Sequence, residues 1–82
     1  MKTRILVTLK NGVLDPQGKA IHHAIEGLGF SGVQDVRAGR LIDIEHEPGL
    51  SKSDLESMCI KLLANMVIEN FEILRLNDEH RQ

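Results

Sequence analysis

Four histidines, one cysteine and several serines are the side chains of this 82-residue sequence that could ligate a metal or attack an electrophile. His22 and His23 are adjacent, so on a helix they point to different sides, while His46 falls in a β-prone run and His80 in a polar tail. No pair has the four-residue helical spacing of a metal site, and Cys59 has no second cysteine beside it. The histidines are expected to be solvated surface residues, and Cys59, inside an apolar helical stripe, a small core hydrophobe. Ser31, Ser51, Ser53 and Ser57 read as turn and cap residues, and Glu45, Glu47, Asp54 and Glu56 as carboxylates at strand ends or helix starts. Neither a nucleophile with its base nor an acid–base pair can be assembled from them.

One segment is not exhausted in this way, LKNGVLDPQGKAI from Leu9 to Ile21. Asp15 suits a helix N-cap and Pro16 the first helical position, because the carboxylate accepts orphan N–H groups and proline lacks the one that would be wasted. Gly18 then falls in the first turn, where glycine costs about 0.5 to 1 kcal/mol relative to alanine. A partner protein approaching the backbone closely is the preferred reason for it. An anion held at the helix start beside Lys10 and Lys19, or a local structural role, are the alternatives. The segment matches neither a Walker loop nor a dinucleotide fingerprint.

The elements that must position this segment follow from periodicity. Thr3 to Leu9 alternates as a strand, and Ala20, Ile21, Ala24, Ile25 and Leu28 recur as a buried helical stripe with Gly29 as a left-handed C-cap. Val33 to Ala38 and Leu41 to Glu47 read as two strands of a hairpin turning at Gly39-Arg40 or Ala38-Gly39, and Pro48-Gly49 ends the second. Ser51 with Asp54, or Ser53 with Glu56, opens a second helix bearing Leu55, Met58, Cys59, Leu62, Leu63 and Met66. Asn70 to Leu76 is a last strand. The order predicts an α+β, ferredoxin-like βαββαβ sandwich: a four-stranded antiparallel sheet, two helices on one face, and the first and third strands central and parallel. Residues 1–77 form one domain in this reading, and residues 78–82 are a frayed tail. With Ile5, Val7, Leu9, Ile42, Ile44, Phe71 and Ile73 facing the helices, Leu6, Leu41, Leu74 and Leu76 face away, and a homo-oligomer (dimer or tetramer) is expected to cover them.

Composition narrows the function classes. A chain this short buries only about 60 to 65% of its unfolded surface, so partners are plausible. A net charge of -2 and two aromatics, both Phe, give no basic face and no stacking platform for nucleic acid. The N-terminus MKTRILVTLK has no cleavage-site pattern, and no apolar run approaches the roughly 18 to 20 residues of a membrane span. A reducing, cytoplasmic setting is expected.

The combination of GVLDPQG with VRAGRLI at Val36 to Ile42, LGF at Leu28 to Phe30, and LLAN and VIENFEI between Leu62 and Ile73 resembles the PurS family over residues 3–76. Its members are small subunits of bacterial and archaeal phosphoribosylformylglycinamidine synthase. The resemblance implies a non-catalytic accessory subunit of an ATP-dependent amidoligase in de novo purine synthesis. In that enzyme a large synthetase subunit uses ATP and magnesium to activate formylglycinamide ribonucleotide, and a glutaminase subunit supplies ammonia. The small subunit bridges the two, helps ammonia pass, and binds no cofactor or metal of its own. On this reading Lys10, Asn11, Gly12, Val13, Leu14, Asp15, Pro16, Gln17, Gly18, Arg37, Gly39 and Arg40 face partner subunits, and Leu6, Leu41, Leu74 and Leu76 mediate self-association. Two departures stand out: Met66 replaces a usual proline, which predicts a second helix about one turn longer, and Phe71 replaces a common tyrosine. An ACT-like ligand-binding regulatory module is the alternative. An acylphosphatase-like enzyme would need an arginine in the loop after the first strand, where this chain has Lys10.

Overall fold

The computed structural model describes residues 1–76, so the expected frayed tail at 78–82 lies outside the described residues. Five elements are connected in the order β1 (Lys2–Leu9), α1 (Pro16–Gly27), β2 (Gly39–Glu45), α2 (Lys52–Met58) and β3 (Glu69–Leu76), with a π-helical turn over Cys59–Leu63 continuing α2. The sheet has three strands in the order β2-β1-β3. Both neighbours run antiparallel to β1, with Ile5 opposite Ile42 on one side and Ile73 on the other.

Local signals account for most boundaries. Asp15 caps α1 with Pro16 in the first turn, and Gly29 follows the helix with φ 95°. Ser51 and Asp54 form a reciprocal capping box at the start of α2; Ser53 and Glu56 are not used in this way. The core lies against the middle strand: Ile5, Val7, Cys59 and Ala64 are buried together, Ile42, Ile44, Leu63, Phe71 and Ile73 pack half-buried against them, and Leu55 of α2 is buried as well. Burial pushes the Cys59 thiol up, with the Glu56 charge adding to the shift.

Several expectations are corrected. Among the described residues there is no fourth strand: Val33–Ala38 pairs with no strand, and two of its backbone groups go to side chains instead. The Val33 carbonyl accepts from His22 Nε2 (2.8 Å), and the Ala38 N–H donates to Asp15 Oδ2 (2.8 Å). Gly39 and Arg40 therefore begin β2 rather than turning a hairpin. No parallel central pair forms either. The chain returns from α1 to the same end of the sheet that β1 left, so β2 starts opposite Thr8 and runs back antiparallel.

Nor does α1 bury its expected apolar stripe. In α1 only Gly18 is buried, and Ile21 and Leu28 of its apolar stripe are 41% and 76% exposed. Finally, the second helix does not run on past Met66. The Ala64 N–H reaches the Cys59 carbonyl (2.9 Å) in the wide final turn, Ala64 is extended, and Asn65 starts a turn whose carbonyl accepts from Ile68 and Glu69. The wide turn also rotates Leu62 out of the predicted stripe to 80% exposure and brings Leu63 and Ala64 inward.

Candidate functional site

The loop after β1, the start of α1, and the segment entering β2 meet at one end of the sheet, with Asp15 at their junction. Asp15 is 4% exposed, and each of its oxygens is used: Oδ1 accepts from the Gly18 N–H (2.9 Å) and Oδ2 from the Ala38 N–H. Hydrogen bonds from Gly18 and then Ala38 hold its carboxyl below the usual carboxylate range, burial opposes them, and the Arg37 charge adds a smaller pull downward. A Cβ on Gly18 would collide with the Val36 carbonyl oxygen and stand 2.5 Å from Asp15 Oδ2. The close backbone approach that this glycine accommodates is thus supplied by the chain's own 36–38 segment.

Lys10, Arg37, Gly39 and Arg40 are held in place around this junction as well. The Lys10 N–H donates to the Ile68 carbonyl (2.8 Å), and Lys10 Nζ donates to Asn70 Oδ1 (3.0 Å), which ties the loop to the start of β3. Arg37 Nη2 donates to the carbonyls of Leu9 (3.4 Å) and Lys10 (3.3 Å). Gly39 is held against β1 so tightly that a Cβ there would stand 2.7 Å from the Val7 carbonyl oxygen. Arg40 reaches across the end of β1 to Glu69 (2.9 Å) and to the Leu63 carbonyl (3.1 Å). Glu69 Oε1 also accepts from the Asn65 N–H (2.7 Å), which with burial opposing and Arg40 assisting keeps its carboxyl below the usual range.

The surface left over is shaped but chemically quiet. A cleft of about 430 Å³ is lined by Val7, Leu9, Asp15, Pro16, Gln17, Ala38, Gly39, Arg40 and Glu69. Across Asp15 from it, a hollow of about 310 Å³ is lined by Gly12, Val13, Leu14, Lys19, Asp35, Val36 and Arg37 together with Asp15. Lys10, Asn11 and Gly18 line neither, although Lys10 and Gly18 belong to the same network. Leu14 is 67% exposed at the rim. The two carboxylates nearest the cleft are committed to N–H donors and a guanidinium, so neither is poised as a general base. Among the described residues no group of three His, Cys, Asp or Glu converges to hold a metal ion. Charged side chains (Asp15, Lys19, Asp35 and Arg37) line the second hollow, and Val7, Leu9, Pro16 and Ala38 give the first cleft a more apolar lining.

The remaining expected residues lie elsewhere. Leu6 stands opposite Leu41 on the sheet face away from α2, and Leu74 stands opposite Arg4 there; Leu41 is 54% exposed and the other two leucines are half-buried. The side chain of Leu76 is outside the described residues. The same face carries the Arg4–Asp43 ion pair at 2.9 Å, which holds the Asp43 carboxyl below the usual range.

Two histidines expected at the solvated surface are instead half-buried and bonded. His22 donates to the Val33 carbonyl, and His46 Nε2 is 2.8 Å from Thr3 Oγ1. Sequence reasoning also missed Glu69 and Asn65, whose opposite-charge and turn-forming character gives a signal only once Arg40 and Glu69 are known to flank β1.

Residues 2–77 match the family model PurS, phosphoribosylformylglycinamidine (FGAM) synthase. The chain belongs to the PurS family. A PurS subunit of phosphoribosylformylglycinamidine synthase from Methanocaldococcus jannaschii is 43% identical over 76 residues, covering 88% of this chain and 90% of the relative. The crystal structure of M. jannaschii PurS, one of the subunits of formylglycinamide ribonucleotide amidotransferase in the purine biosynthetic pathway, superposes with a TM-score of 0.79 at 43% identity, covering 89% of this chain and 92% of that one. A chain in the structure of PurLQS from Thermotoga maritima superposes with a TM-score of 0.73 at 28% identity, covering 92% of this chain and 95% of that chain.

The lowered carboxyls of Asp15, Asp43 and Glu69 fix the direction of acid sensitivity. Each binds its proton less readily folded than unfolded, where a carboxyl titrates near about 4. Their stabilisation is therefore present above that value and lost as pH falls through the depressed folded values. Asp15→Asn removes one of the three couplings and is expected to flatten the acid limb of a Tm-versus-pH profile. Equal acid slopes for the variant and the parent chain would show that Asp15 is not coupled to folding.

Proposed function

We propose that this PurS chain is the non-catalytic accessory subunit of phosphoribosylformylglycinamidine synthase in de novo purine biosynthesis. It joins the large synthetase subunit to the glutaminase subunit and aids the passage of ammonia between them. The observation that carries the reading is the likeness over most of the chain to a component of PurLQS from T. maritima. The end of the sheet is consistent with it, since Asp15 and Glu69 are fully engaged and two hollows present Pro16, Gln17, Leu14 and Arg40 for docking. In this assignment the large subunit binds ATP and magnesium, this chain binds no cofactor, and the assembly works in the cytoplasm.

Reconstitution tests it. Glutamine-dependent synthesis by the large subunit plus glutaminase is expected to fall to a small fraction without this chain, while synthesis from free ammonia is less affected. Equal glutamine-dependent rates with and without the chain would end the proposal. A ligand-dependent rise in Tm of the isolated chain with amino acids would point instead to an ACT-like regulatory module.

The same proposal includes self-association, to a dimer or tetramer, through the face bearing Leu6, Leu41 and Leu74. Nothing in the described chain covers that face, and Leu41 is 54% exposed on it. Leu41→Glu is expected to lower the mass measured by light scattering without altering the circular dichroism spectrum. An unchanged mass would place the contact elsewhere.

A further inference from the structure

We draw no further inference here: the strongest candidate, the apolar stripe of α1 that leaves Ile21 and Leu28 exposed at 41% and 76%, carries nothing, because nothing in the structure shows what covers it.

Discussion

Gly18→Ala is expected to destabilise the chain by about 2 kcal/mol or more, the range for forcing extra atoms into a filled site. The same exchange at an unobstructed helical glycine gains about 0.5 to 1 kcal/mol, so the sign alone is diagnostic. The added methyl would meet the Val36 carbonyl and the Asp15 carboxylate, and both are fixed: Asp15 by the Gly18 and Ala38 N–H groups, Val36 by the segment those bonds hold. Relief requires Asp15 to swing away, which uncaps α1 and frees the entry to β2 together. Urea denaturation of the purified chain measures the change, and a more stable variant would overturn the close approach. Should the variant keep its stability yet fail to assemble with the large subunit, the glycine serves a partner surface instead.

Leu63→Ala is expected to cost about 2 kcal/mol, at the low end for truncating a core leucine. Leu62→Ala, one residue earlier, should change the stability of the isolated chain by less than about 0.5 kcal/mol. A regular α-helix continuing from Leu55 through Cys59 would place Leu62 inward and make its truncation costly. The wide turn closed by the Ala64 N–H on the Cys59 carbonyl turns Leu62 to solvent and packs Leu63 against the sheet. Chemical denaturation of the two variants compares the registers directly; a larger loss at Leu62 than at Leu63 would show that the turn is not maintained in solution.

What could be read from the amino acids follows how local each signal is. The Asp15-Pro16 start, the Ser51–Asp54 box and the alternation in β1 and β3 each act within a few residues, and the structure keeps all of them. The Val33–Ala38 run has strand-forming residues, but a strand also needs a neighbour with free N–H and carbonyl groups. In the structure the Val33 carbonyl is bonded to His22 and the Ala38 N–H to Asp15. Leu62 was placed inward by a 3.6-residue period that cannot register a widened turn, and Met66 was expected to prolong a helix that Ala64 and Asn65 end.

The candidate site divides in the same way. The cap role of Asp15 was legible because Gly18 lies three residues away; its second bond crosses 23 positions to Ala38, and no local pattern announces it. Arg40 is a candidate from the sequence while Glu69, 29 positions away, is not, since only the pairing of β2 and β3 on either side of β1 brings them within reach.

One carboxylate thus ties the beginning and the end of the excursion that separates β1 from β2. In the unfolded chain those ends wander apart, and closing the intervening stretch costs entropy that grows only slowly with its length. Because Asp15 fastens the base, the tip around residues 28–32 can be lengthened, shortened or rewritten with little consequence for the sheet. In this chain α1 and its return segment therefore form an insert between two paired strands, fastened at its base by a single side chain.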